Sequence, residues 1–372
     1  MSSQNHIIDL ANPGDFPAPK AQNALVAITR GGVEKAREVM QKFPEVDLYY
    51  PEKFAFGDEA GLGIRLYRGG VKDLLPIAFG AYRGIIALVS LGALIRLAAP
   101  LLKDKKSDPA VVVIDEKAEF AIAALSGHIG GGNQLTRTLA AAIGATPVIT
   151  TASDVMGTLA ADLLGRKFGW RLELEEKMTE VSAAIVNGEP VAIIQESGET
   201  NWNETGNPLP ASITLAHSLT DDLPLMKIMI THRILSPDEL KQLEHAILYR
   251  PRSVVLGIGC NRDTPAEEIT EVVDSTLAEL KISPQSVRTV GSIDLKKDEE
   301  GLLEFCKSRN YDLKFYTPQE LGGAKITDPS ETVFKYTGAY GVSEPAARLL
   351  SGGELVLVKK KSGNVTISVG VI

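Results

Sequence analysis

Cysteine and histidine are scarce in this chain. Only two cysteines, Cys260 and Cys306, occur in 372 residues. They lie far apart with no C-x-x-C pair, which argues against a disulfide framework and a structural zinc site and fits a reducing compartment. Five histidines are present, and none has a partner at i+4 of the kind a metal-binding helix needs. Long apolar runs are missing too. The longest, Gly84 to Leu102, is broken by Ser90, Arg96 and Pro100 and does not read as a membrane span. Nor is there an excess of positive charge. Lys+Arg 39 against Asp+Glu 47 leaves −8, so no global field draws nucleic acid or an anionic membrane. An anionic small molecule would have to be met by local basic residues. The start, "MSSQNHIIDLANPGDFPAPK", lacks a basic n-region and a continuous apolar h-region, and residues 1–24 read as a flexible leader. These absences together predict a cytoplasmic protein with neither nucleic acid nor membrane as partner.

What is present is core-forming material. Hydrophobic residues make up 44% and charged residues 23%, as in ordinary globular proteins, and the length predicts two or three domains. Buried-looking strands such as "GIIALVS" and "PAVVVIDE" alternate with helical patterns such as "GGVEKAREVMQKF" and "VKDLLPIAFGAY". The alternation predicts a multi-domain α/β chain with largely parallel sheets, flanking helices and a separate C-terminal α/β domain. The boundaries read as an N-terminal domain over 25–102, a central region with a linker over 103–250, and a C-terminal domain over 251–372. Helices are expected over "DVMGTLAADLLGRKFG" and "ELEEKMTEVSAAIVNG".

Chemistry concentrates in a few places. "SGHIGGGNQL" sets His128 among Ser126, Gly127, Gly130, Gly131 and Asn133, between a strand and a helix. The glycines either let the backbone approach an anion at the helix start or serve a tight strand-to-helix crossing. His128 either moves protons near neutral pH or is satisfied by backbone bonds in a loop. The spacing matches neither a P-loop nor a good G-x-G-x-x-G. A basic group, Arg96, Lys105 and Lys106 with Lys103, surrounds a helix C-terminus, where the macrodipole favours cations without any function. Asp115 and Glu116 end one buried strand, and Thr150, Thr151 and Asp154 end another. With the His128 loop, three strand ends offer polar groups where α/β sheets gather ligands. Asp154 reads equally as a helix N-cap.

"RLAAPLLKDKKSDPAVVVIDE", "LSGHIGGGNQL" and "PVITTASD", followed by "VLGIGCNRDT" and "KYTGAYGVSEPAARLL", resemble in order the signature segments of the cobalt-precorrin-5A hydrolase (CbiG) family. The likeness runs from about Leu25 to Ile372. Departures are conservative: Gly-Gly-Gly-Asn at 130–133 where the family has G-G-A-N, Thr-Ala-Ser-Asp at 151–154 where it has T-A-T-D, and no glycine after Glu116. The resemblance implies hydrolysis of a δ-lactone on an anionic, cobalt-containing tetrapyrrole, with a two-carbon fragment leaving as acetaldehyde. It implies His128 as the proton-transfer residue. The substrate contacts would be Arg96, Lys105, Lys106, Asp115, Glu116, Ser126, Gly127, Gly130, Gly131, Asn133, Thr150, Thr151 and Asp154, with Lys335, Thr337, Gly338 and Glu344 from the last segment. No cofactor and no resident metal are expected, because the cobalt arrives within the substrate. Neighbouring corrin methyltransferases and a homo-oligomer are the protein partners left open. A non-catalytic carrier of a corrinoid intermediate is the competing reading.

Overall fold

The computed structural model describes residues 7–12, 14, 16–104, 107–203, 208–220 and 222–372. The chain divides into two compact units, Met1–Gly157 and Thr158–Ile372.

The first unit is built on one eight-stranded sheet. Its strands are β1 (Ile7–Asp9), β2 (Asn23–Ala27), β3 (Val46–Pro51), β4 (Arg65–Arg68), β5 (Gly84–Leu88), β6 (Ala110–Ile114), β7 (Phe120–Leu125) and β8 (Thr146–Val148). They lie in the order β1-β4-β3-β2-β5-β6-β7-β8. The strands from β1 to β6 are mutually parallel where they pair. β5 and β6 are buried along their whole length, which is why they read as unbroken apolar runs rather than as alternation. Helices return the chain between them. The helix Arg30–Lys42 is capped by the Thr29 side chain, which accepts from the Gly32 N–H, and buries Val33, Ala36 and Val39. The helix Val71–Ala81 keeps Pro76 inside it while burying Leu74, Leu75 and Ala78.

Two expectations fail in this unit. The break expected between residues 102 and 103 falls inside the sheet, because β6 pairs along β5 from Gly84–Ala110 to Leu88–Ile114. The leader is also not free. β1 pairs with β4 from Ile7–Leu66 to Asp9–Arg68, and the segment behind it is pinned to a buried polar network. Arg65, 7% exposed, donates to the Ala18 carbonyl at 3.0 Å and pairs with Asp47 at 3.2 Å. Asp47 in turn accepts from the Lys20 N–H at 2.8 Å and from the Tyr82 hydroxyl at 2.7 Å. Burying that ion pair is tolerable because each partner's remaining hydrogen-bonding capacity is met.

The direction of β7 decides where the site lies. It runs antiparallel to β6, with Val111 opposite Leu125 and Ile114 opposite Ala121, and β8 runs parallel to β7. The ends of β7 and β8 therefore lie at the sheet edge where β6 begins, one strand length, roughly 15 Å, from where β6 ends.

The second unit carries two five-stranded sheets. The central one contains β9 (Arg171–Leu174), β10 (Val191–Gln195), β11 (Ile213–Ala216), β12 (Met226–Ile230) and β13 (Ala246–Arg250), in the order β11-β10-β12-β13-β9. Only β9 is antiparallel to its neighbour. The C-terminal sheet contains β14 (Val254–Cys260), β15 (Val287–Ile293), β16 (Asp312–Tyr316), β17 (Leu357–Ser362) and β18 (Val365–Val371), in the order β16-β15-β14-β18-β17. Its first three strands are parallel, and a closing hairpin is antiparallel.

The two sheets are stitched together. The Ser283 N–H donates to the His232 carbonyl at 2.7 Å, Arg233 bridges Ile282, and Arg288 pairs with Glu199. Two helix expectations shorten here. The helix expected from Asp154 onward is Ala152–Met156, ended by Gly157 in the left-handed region, with only single 3-10 turns after it. The one expected from Glu173 begins at Met178, because Arg171–Leu174 pairs as β9. No described helix is long and apolar enough to cross a membrane.

Candidate active site

The loop after β7 folds back on itself before the helix Gly132–Ile143. Ser126 sits at φ 53 and Gly131 at φ 85; the first is an uncommon position for a residue with a side chain. The Gly131 N–H donates to the His128 carbonyl at 2.9 Å, Gly132 N–H to Ser126 at 2.9 Å, and Asn133 N–H to Gly127 at 2.8 Å. A Cβ on Gly130 would stand 2.3 Å from Ser126 Cβ, and one on Gly127 2.7 Å from Asn133 Oδ1. The glycines therefore serve a tight crossing. Of the two readings, the tight crossing is the one favoured, because the Gly131, Gly132 and Asn133 amides donate within the loop and do not face an anion. The helix is preceded by Gly131, and Asn133 lies in its first turn.

This folding presses Asn133, 4% exposed, against the segment after β8. Asn133 Nδ2 donates to Asp154 Oδ2 at 2.7 Å and to Thr151 Oγ1 at 3.0 Å. His128 Nε2 stands 3.0 Å from Asp154 Oδ2 and 3.0 Å from Ser153 Oγ. Arg137, one turn along the helix from Asn133, donates to Asp154 Oδ1. Burial pushes the Asp154 carboxyl up, but the hydrogen bonds from Arg137, His128 and Asn133 outweigh it and hold the group below its ordinary value. An ionised carboxylate only accepts, so His128 Nε2 carries a proton. In the neutral ring, Nδ1 is then the basic nitrogen. Ser153 and Asp154 meet the same ring nitrogen, which is not the relay of a serine triad, where nucleophile and carboxylate address opposite nitrogens. Asn133 Oδ1 is buried with no hydrogen-bond partner among the described residues.

The sequence reading of Asp154 as an N-cap gives way, since Thr151 holds that position. Sequence reasoning missed Arg137 and Ser153. Arg137 was signalled by its i+4 spacing from Asn133, which places both on one helix face, and Ser153 by its adjacency to Asp154.

Other expected residues fall elsewhere. Asp115 and Glu116 do not join the cluster, because β7 turns back. Asp115 accepts from the Phe120 N–H at 2.7 Å and the Lys117 N–H at 3.2 Å, which closes the β6–β7 turn. Glu116 accepts from the Thr29 hydroxyl at 2.6 Å, at the opposite sheet edge. Thr150 is exposed beside Thr151. Arg96 is exposed and donates to the Gly92 carbonyl at 3.0 Å. Its helix, Leu91–Ala98, carries the chain back from the end of β5 toward the start of β6, so Arg96 lies toward the edge that holds His128. Lys105 and Lys106 lie outside the described residues.

In the C-terminal sheet domain, Lys335 and Thr337 belong to the helix Glu331–Thr337 rather than to a loop, and Gly338 closes it in the left-handed region. The Thr337 hydroxyl donates to the Val333 carbonyl at 2.8 Å. Glu344, 3% exposed, accepts from the Thr327 N–H and hydroxyl and from Arg348. Glu344 and Thr337 are therefore spent on the fold, whereas Lys335 is exposed beside Tyr336, which is 76% exposed. Among the described residues no group of three His, Cys, Asp or Glu side chains is placed to hold a metal ion.

Fold and site together define a multi-domain α/β protein with a hydrogen-bonded histidine–aspartate pair and, around that histidine, no serine-triad arrangement among the described residues. Three family descriptions match in chain order: Cobalamin synthesis G N-terminal over residues 73–154, Cobalamin biosynthesis central region over 159–251, and Cobalamin synthesis G C-terminus over 254–370. Among curated relatives, the Cobalt-precorrin-5A hydrolase of Priestia megaterium is 53% identical over 353 residues, covering 94% of this chain and 94% of the relative. The Cobalt-precorrin-5A hydrolase of Salmonella typhimurium is 34% identical over 362 residues, 94% of this chain and 97% of the relative. Protein CobE of a Sinorhizobium species is 37% identical over 110 residues, 29% of this chain and 71% of that protein. The chain belongs to the CbiG family of cobalamin biosynthesis proteins.

Proposed function

We propose that this chain is a cobalt-precorrin-5A hydrolase, which opens the δ-lactone of its cobalt-containing tetrapyrrole and releases acetaldehyde to give cobalt-precorrin-5B. The observation that carries this reading is the 53% identity, over 94% of both chains, to a relative of that name. The His128 cluster supplies chemistry that suits it. His128 takes a proton from water as the oxygen attacks the lactone carbonyl. The carbonyl–oxygen bond then breaks, leaving a carboxylate and a hydroxyl on the departing carbon. Removal of that hydroxyl's proton forms the aldehyde C=O, and the electron pair of the broken carbon–carbon bond passes to the macrocycle, which is protonated. Both proton removals are from oxygen, so one base can serve both.

Asp154 fixes the ring and its Nε2 proton, and Arg137 and Asn133 fix Asp154. The Ser153 hydroxyl, 3.0 Å from the His128 ring, is a polar group that could orient the attacking water. The substrate's peripheral carboxylates would be met by Arg96, Lys105 and Lys106, which belong to the same unit as His128. The protein itself needs no cofactor, because cobalt enters as part of the substrate. A turnover assay with the cobalt lactone, following acetaldehyde and product mass together, tests the reading. Tight binding without acetaldehyde would overturn it in favour of a carrier.

A further inference from the structure

Lys227, in the central sheet, is a buried cation with no counter-ion among the described residues. It is 7% exposed and lies next to the first residue of β12, on the face that carries Met229. That face is covered by Leu235 and Leu243 and by Leu219 and Leu223. Its ammonium has three donors, and among the described residues the one acceptor it meets is the Leu225 carbonyl at 3.3 Å. Desolvation alone acts on it, lowering it from its ordinary value. The side chain lines a cleft of about 270 Å³ together with Thr220, Leu225, Lys241, Gln242, Glu244 and His245.

Three of the other polar walls are committed. The Thr220 hydroxyl donates to Asp222 at 2.6 Å, Lys241 pairs with Asp238 at 3.0 Å, and His245 faces Glu180 at 3.4 Å. Glu244 makes no ion pair with Lys227 among the described residues. Leaving a buried charge unmatched is among the costlier arrangements in a fold, and natural folds retain it where something else supplies the partner.

We propose that this cleft binds a carboxylate, whose two oxygens accept the free N–H groups of Lys227. The volume is below the usual range for sites that enclose a whole drug-sized ligand, so the occupant is a small monocarboxylic acid or one carboxylate arm of a larger molecule. The cleft lies in the second unit and uses none of the residues of the His128 cluster, so the proposal stands or falls apart from the hydrolase reading.

The test uses the full chain and sodium propionate as probe, with sodium chloride at equal ionic strength as reference. Propionate is expected to raise the melting temperature of the wild type above the chloride reference. Lys227→Met is expected to fold with a melting temperature in chloride no lower than wild type, and to bind propionate at least about tenfold more weakly, the loss typical of a charge-assisted hydrogen bond. Lys227→Arg, which keeps the charge if Met misfolds, should retain part of the response. Coproporphyrin, a tetrapyrrole with carboxylate arms, separates the two sources. If it displaces propionate the site takes an arm, and if both bind together it takes a free acid. A wild type that gains no more from propionate than from chloride, or a Lys227→Met that gains as much as wild type, overturns the proposal.

Discussion

The His128 loop and the "KYTGAYGVSEP" segment look alike as sequence. Each mixes glycines with polar residues beside an apolar helix, and each belongs to a signature segment of the family. In three dimensions they part. The C-terminal segment uses its polar groups on itself: Thr337 bonds the turn before it, and Glu344 locks Thr327 and Arg348. The His128 loop satisfies its backbone equally well but leaves side chains facing one another with capacity unspent, including the orphaned Asn133 oxygen and a serine and an aspartate that share one ring nitrogen. Polar residues in a glycine-rich stretch mark a site only when folding does not consume them.

The comparison breaks most readily at His128. His128→Asn keeps a hydrogen-bonding group but cannot cycle a proton, and kcat is expected to fall ~10²–10⁴-fold with KM little changed. A near wild-type rate in a steady-state assay would make the loop as structural as its C-terminal counterpart.

Asp154→Asn comes next, with kcat lowered roughly 10–100-fold through loss of a charge-assisted bond to the ring. This variant also carries a pH signature. Because the folded carboxyl lies below its ordinary value, its contribution to stability is complete above the unfolded value and is lost as pH falls through the lower folded one. Thermal melts from about pH 5 downward should therefore decline more steeply for wild type than for Asp154→Asn. Parallel curves would mean that the carboxylate is not held as described.

At Glu344 the expectation reverses. Glu344→Gln should cost about 1–3 kcal/mol of stability, by weakening buried bonds to Arg348 and Thr327, and leave kcat unchanged. A loss of kcat without a loss of stability would move Glu344 into the site.

The smallest effect is expected from Lys105→Ala with Lys106→Ala. Exposed charge contacts are worth only ~0.2–1 kcal/mol each, so KM should rise a few-fold, more so with added salt, at constant kcat. A KM insensitive to both substitution and salt would return these lysines to the helix end.

Much of this was legible in advance. Fully buried strands such as β5 and β6 announce themselves as apolar runs, and the helix Arg30–Lys42 does so by its period. The C-terminal sheet begins at Val254, close to the boundary read from composition. The reversal at β7 went unread, although its signal was present. Only five residues, 115–119, separate β6 from β7, too few for a crossover to a parallel strand and enough for a turn. Missing that count made Asp115 and Glu116 look like neighbours of His128. The pinned N-terminal segment was harder to read, because three-residue β1 has no pattern of its own and owes its existence to pairing with β4. Arg137 and Ser153 join the site through tertiary contacts to Asp154 and His128, at which only the i+4 spacing of Arg137 from Asn133 hinted.

The anchored N-terminal segment has a practical consequence for anyone making this protein. A clone trimmed to begin near Leu25, as a disposable leader would invite, loses β1 and the Ala18 carbonyl that meets the Arg65 guanidinium. β4 would then present an open row of peptide groups at the margin of the sheet, the kind of surface along which chains zip together. The shortened product should collect in the pellet rather than the supernatant, and an affinity handle therefore belongs at the other terminus.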